Sequence, residues 1–194
     1  MSSQIFKDNT FPRHISDVMN LMHMMVFQGT DGEEKWETYL TPKQKEYVAL
    51  GLALYYQCDH CIDHHLAALC KIDKVSKDTI CQHINSMILF LRIDTRVIGS
   101  SEKNYWIKAW QRFAKLISFQ SNDPDLPYLI ALAIGIARDD EFLIDFCGTQ
   151  VVNSCESREI NPRAMVGELE AVVIFMKAAA SKNRIVDKVE KLFA

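Results

Sequence analysis

Glycine and proline are scarce in this chain, seven and five among 194 residues. That is too few turn residues to join the many short strands of a β-sandwich or barrel, so an all-α protein is expected. Positive charge is not in excess: 22 Lys and Arg stand against 25 Asp and Glu, a net charge of -3, with no long basic stretch. Nucleic acid is therefore not an expected partner. Long apolar runs are missing as well. The apolar run Pro127 to Ala137 has 11 residues, against the roughly 18 or more of a membrane helix, and reads as a buried core helix with no membrane partner. The opening MSSQIFKDNTFPRH lacks the charged and apolar regions of a secretory signal, which leads us to expect a cytoplasmic location. Six cysteines are sparse for a secreted disulfide scaffold, and in a reducing compartment their spacing matters more than their number. No glycine-rich fingerprint follows a strand, and no metal, flavin or nicotinamide cofactor is expected.

What is present has a helical period rather than the alternation of strands, and 48% hydrophobic residues can fill a sizeable core. A first helix is expected from Ser16 to about Phe27, with Val18, Leu21, Met22 and Met25 on one face and its methionines as deformable filler. Thr41-Pro42, with Gln44 placed for a capping box, opens a helix over about 42–57 that carries Glu46. Asp59 can start a helix through about Leu69. Ser76 caps another, in which Ile80, Ile84, Met87 and Leu91 form a stripe. A helix over 102–119 carries Trp106, Trp110, Phe113 and Ile117, a core stripe rather than a stacking platform for bases.

The plan repeats. The segment 127–147, PYLIALAIGIARDDEFLIDFC, matches the pattern of 46–66, EYVALGLALYYQCDHCIDHHL, at an offset of 81 or 82. Downstream, SMILFL (86–91) and AVVIFM (171–176) correspond at an offset of 85, and Asn161-Pro162 opens a helix as Ser76 does. Two four-helix pseudo-repeats are expected in one compact chain: an active lobe over 1–98, and a degenerate lobe with a C-terminal tail helix over 99–194. At either offset the second copy replaces Glu46 by Pro127 or Tyr128, Cys58 by Asp139 or Asp140, Cys61 by Phe142 or Leu143, and His65 by Phe146 or Cys147.

The chemistry concentrates between Glu46 and His65. At about 100° per residue, Cys58, Cys61 and His65 lie within about 60° of one another on a helix surface. His65 can approach the Cys61 sulfur and take its proton. A helix N-terminus and a nearby imidazole both lower a thiol's pKa, and cysteines at i and i+3 can close a disulfide. Glu46, on the preceding helix, could orient or charge His65.

Glu46, then after eleven residues Cys58-x-His60-Cys61, then His65 three residues on, specifies five positions. This pattern resembles the active-site signature of the AhpD-like alkylhydroperoxidases, within the carboxymuconolactone decarboxylase family, over about residues 36–93. The resemblance implies an AhpD-like helical fold, assembly as a homo-oligomeric trimer or hexamer, and a thiol-dependent peroxidase with disulfide oxidoreductase character and a role in antioxidant defence. It implies that Cys61 is the peroxidatic thiol, His65 its base, Glu46 the start of a proton relay, Cys58 the resolving thiol and His60 an auxiliary residue. The substrate would be a hydroperoxide, Cys58 and Cys61 the redox-active disulfide, and an external dithiol, thioredoxin-like or lipoyl donor the reductant. Two-lobed alkylhydroperoxidases also keep one working and one degenerate lobe, but here the working copy comes first.

Two other readings compete. One is a decarboxylase like the family's namesake, which does not depend on a thiol pair. The other is a noncatalytic zinc-binding scaffold oligomer. Cys58, Cys61, His64 and His65 are suitable zinc ligands, but they crowd one short helix, whereas a structural site draws its second pair from a distant segment. His60 and His64 point away from the cysteine face and read as solvent-facing as readily as functional. Glu46 also fits as an exposed first-turn acid that favours the helix dipole. Cys70, Cys81, Cys147 and Cys155 read as buried or incidental thiols, and His14, His23 and His83 as ordinary surface or core residues. Asp31 to Glu34 reads as a solvated loop without the spaced ligands of an EF-hand.

Overall fold

The computed structural model describes residues 13–28, 38–74 and 76–193, and every regular element among them is helical. The helices are α1 (Arg13–His23, running on as a π-helical turn, Met24–Gln28), α2 (Pro42–Tyr56), α3 (Asp59–Asp73), α4 (Lys77–Leu91), α5 (Ser100–Ser121), α6 (Leu126–Arg138), α7 (Glu141–Ser157) and α8 (Pro162–Phe193). The acidic segment Asp31 to Glu34 lies outside the described residues.

The capping chemistry of α2 forms as its sequence dictates. Thr41 Oγ1 accepts from Gln44 N (3.2 Å), Gln44 Oε1 accepts from Thr41 N (2.9 Å), and Pro42 opens the helix. Ser76 caps α4 through Thr79 N. The α1 segment turns differently from expectation. Met19 and His23 are buried, whereas Val18, Leu21 and Met25 are exposed. Apolar residues surround this helix, and the face that packs is the one whose Met19, His23 and Val26 follow each other at helical spacing.

Helix α2 is central. It packs against α3, α4, α6 and α8, and its residues 44–53 are buried on every side. At its crossing with α6, a Cβ on Gly51 would meet Ile130 Cγ2 at 2.9 Å, so the missing side chain is what permits the approach.

The α2–α3 and α6–α7 hairpins share a backbone. Gln57 and Asp139 both take left-handed conformations (φ 57°), and Cys58 and Asp140 are both extended, at φ -100° and -103°. Cys58 N bonds to Ala53 O (3.0 Å) as Asp140 N bonds to Gly135 O (2.9 Å). The offset is therefore 82. Tyr128, Asp140, Leu143 and Cys147 occupy the positions of Glu46, Cys58, Cys61 and His65.

The expected tail helix is not separate. Past Gly167 no glycine or proline interrupts the sequence before Phe193, and α8 continues unbroken for 32 residues, where its repeat counterpart α4 has 15. The excess length carries the end of α8 back to the first half, where it packs on α2 and α3.

Candidate active site

The site is built on the turn between α2 and α3. Gln57 ends α2, and Cys58 is the N-cap residue of α3 without a side-chain capping bond. Asp140, at the equivalent place, spends its carboxylate on capping: it accepts from Leu143 N (3.2 Å), from Arg138 (2.6 Å) and from Thr95. Burial pushes the Asp140 carboxyl up, and these hydrogen bonds, with the Arg138 charge, outweigh burial and hold it below its ordinary value. One backbone frame thus holds a capping carboxylate in the second half and a sulfur free of capping in the first.

Cys58 and Cys61 are joined as a disulfide, with Cα atoms 5.3 Å apart and both residues buried. One turn on, on the same face of α3, His65 is buried, and its Nδ1 lies 2.8 Å from Glu46 Oε2. An ionised carboxylate only accepts, so Nδ1 carries the hydrogen and Nε2 holds the imidazole's free lone pair. Glu46 is buried in α2; it is not the exposed first-turn acid of the alternative reading.

Rings enclose this pair. Phe27 lies 5.2 Å from His65 and 4.9 Å from His23, and His64 sits edge-on to His65 at 5.0 Å and to His23 at 5.3 Å. Of the two places open to an ordinary histidine, surface or core, His23 takes the core. It is buried, its Nε2 has no hydrogen-bond partner among the described residues, and burial, with His64 and His65 nearby, lowers its pKa to about 4. Burial and His65 likewise lower His64, against the opposing pull of Glu46.

His60 is not brought to the sulfurs. It is exposed, with Nε2 3.8 Å from Asp187 Oδ1 on α8. A residue that the sequence did not single out is there instead: the buried Asn183 of α8 directs its Nδ2 at Cys58 Sγ (3.3 Å) and Cys61 Sγ (3.5 Å). Asn183 lies 125 residues from Cys58, in a stretch with no motif, so no local signal could have pointed to it.

The remaining thiols differ from this pair. Cys147 and Cys155 are buried, Cys70 and Cys81 half-buried. Burial pushes the thiols of Cys81, Cys147 and Cys155 up, toward the unreactive protonated form. Among the described residues, no group of three or more His, Cys, Asp or Glu side chains is placed to hold a metal ion. No helix among them is long and apolar enough to cross a membrane.

A buried cysteine pair at a helix N-terminus, with a carboxylate-oriented imidazole one turn further along the same helix, is an arrangement that can support thiol–disulfide chemistry. Residues 23–91, from the end of α1 through α4, match the model of the carboxymuconolactone decarboxylase family, which takes in the AhpD-like proteins. No curated protein and no solved structure matches the chain.

Proposed function

We propose that this protein is an AhpD-like thiol peroxidase that reduces hydroperoxides through Cys61 and Cys58, with disulfide oxidoreductase character and a role in antioxidant defence. The observation that carries the reading is the buried Cys58–Cys61 bridge one turn from a His65 ring oriented by Glu46.

The cycle begins with the Cys61 thiolate, its proton taken by His65 Nε2. The sulfur attacks one oxygen of the hydroperoxide, the O–O bond breaks, and the alkoxide leaves as an alcohol with the proton that His65 returns. Cys61 is then a sulfenic acid. Cys58 gives up its proton and attacks that sulfur, the S–O bond breaks, the displaced hydroxide takes the proton and leaves as water, and the disulfide forms. An external dithiol of the thioredoxin-like or lipoyl kind returns two electrons by exchange and is itself oxidised. Tyr128, Asp140, Leu143 and Cys147 offer the second half no such cycle, so its place is in packing and in completing the first site.

Two further elements belong to the proposal. Val18, Leu21, Met24 and Met25, exposed on the N-terminal helical segment, support assembly as a homo-oligomer. A reducing compartment such as the cytoplasm suits a dithiol that must be reopened after each turnover.

The test is peroxide consumption driven by a small dithiol. Wild-type protein turns over many times, and Cys61→Ser turns over none. Cys58→Ser reacts once and accumulates sulfenic acid at Cys61. Decarboxylation of a lactone acid that survives Cys61→Ser would instead favour the reaction of the family's namesake.

A further inference from the structure

We propose that Asn183 is a catalytic residue of the dithiol pair, whose side-chain amide donates to both sulfurs and stabilises the thiolates formed when the bridge is opened. The inference rests on the thiol–disulfide reading above and adds to it a donor supplied by the other half of the chain.

The amide has two hydrogens, and Nδ2 lies 3.3 Å from one sulfur and 3.5 Å from the other, so both can be engaged together. Asn183 is buried, where an amide N–H without an acceptor is costly. A neutral disulfide sulfur is a weak acceptor, whereas hydrogen bonds to an ionised acceptor are roughly twice as strong as neutral ones. The amide therefore favours the reduced, ionised pair over the oxidised pair. It lowers the thiol pKa and raises the reduction potential, in the direction known for dithiols whose reduced form is stabilised. Asn183 also belongs to the stretch of α8 that has no counterpart in α4, so the extension places a donor on the sulfurs that the repeat unit alone does not supply.

Reduction by dithiothreitol shows where the amide acts. A dithiothreitol thiolate attacks one protein sulfur, the S–S bond breaks, and the other sulfur leaves as a thiolate. The second dithiothreitol thiol, as its thiolate, then displaces the first protein sulfur. Two electrons have passed to the pair, and the reagent closes to its cyclic disulfide. Each protein sulfur takes up charge while Asn183 donates to it. Other ionisable groups on the surrounding helices include Glu46, Tyr55 and Tyr56 of α2, Asp59, His60, Asp63, His64 and His65 of α3, Lys182, Arg184 and Asp187 of α8, and His23 of α1. All remain in the variants below, so differences among variants report on position 183.

The experiment compares full-length wild type with Asn183→Leu, which keeps the volume without a donor, and Asn183→Asp, which keeps the shape and brings a negative charge. The readouts are the pH dependence of iodoacetamide alkylation of the reduced pair and the equilibrium potential against a dithiothreitol couple. Asn183→Leu should slow alkylation at neutral pH about tenfold, the loss of one charge-assisted hydrogen bond, and make the potential more negative. Asn183→Asp should shift both further in the same direction, and Asn183→Gln should recover part of the effect. Wild-type-like profiles in the Leu and Asp variants, or equal shifts in both, would overturn the proposal, because size alone would then account for position 183. Circular dichroism reports folding. Should the Leu variant not fold, Asn183→Ser against Asn183→Asp makes the same comparison, with the larger shift again expected for Asp. If wild-type Cys58 and Cys61 cannot be reduced and reoxidised as a pair, the dithiol reading itself fails. A competent wild-type pair with indifferent variants overturns the role of Asn183 alone.

Discussion

At the scale of single residues, the decisive contact is the 2.8 Å bond between Glu46 Oε2 and His65 Nδ1. It fixes the ring's tautomer and leaves Nε2 for the proton of a thiol or an alcohol. Beside it, His23 carries a cost that depends on pH. Above about pH 6.5 an unperturbed histidine is neutral, so His23 has the same charge folded and unfolded. Its folded pKa is about 4, so between these values the unfolded chain binds a proton that the folded chain refuses. Stability is therefore complete above this window and falls as pH drops through it. His64, shifted the same way, adds to the loss. Urea midpoints at pH 7.5 and 5.0 should show this decline in the wild type and a smaller one in His23→Phe, which can still stack on Phe27; equal declines would place the acid sensitivity elsewhere. Cys58, Cys61 and His65 were legible in the sequence because helical spacing relates neighbours around one helix, and Glu46 through its place in the five-residue pattern. Asn183 and His23 were not, because tertiary packing alone brings them to α3.

Helix starts and helix ends were unequally legible. Thr41 with Pro42, and Ser76, announce α2 and α4 through side chains that satisfy orphan backbone donors. Ends are usually marked by glycine in a left-handed conformation. In this glycine-poor chain, Gln57, Lys74, Asn122, Asp139 and Glu159 take that conformation instead. The sequence accordingly marks α3 only as far as about Leu69, whereas the helix reaches Asp73. The glycines that remain have packing duties that can be separated. A Cβ on Gly135 would meet Leu143 Cβ at 2.9 Å and Ile144 N at 3.3 Å across the α6–α7 hairpin, while one on Gly167 meets nothing within 4 Å. Gly135→Ala should destabilise by about 1–3 kcal/mol through overpacking. Gly167→Ala, in an exposed helical position, should stabilise by about 0.5–1 kcal/mol. Chemical denaturation of the two variants checks both signs.

At the scale of the whole molecule, the two halves hold one another in place. Glu168 of α8 accepts from Tyr39 N and Leu40 N at 2.7 Å each, and pairs with the buried Lys45 of α2 at 2.5 Å. Arg138 of α6 donates to Leu91 O and Ile93 O, at the end of α4 and just beyond it. The core is continuous across this junction. The sequence repeat relates the α6–α7 hairpin to the α2–α3 hairpin. It did not reveal that α2 is sheathed by α6 and α8, since contacts between halves leave no periodic trace. A fragment ending at residue 98 should therefore lose solubility and peroxide reactivity together, as the α2 faces that meet α6 and α8 become exposed; a soluble, fully active fragment would show that the second half is dispensable.

A thiol count after peroxide treatment tests the Cys58–Cys61 pair most directly. Fully reduced protein has six cysteines; after stoichiometric hydroperoxide, four should remain titratable, and peptide mapping should find Cys58 bonded to Cys61. Retention of all six thiols, or loss of a pair other than Cys58 and Cys61, would contradict that pairing.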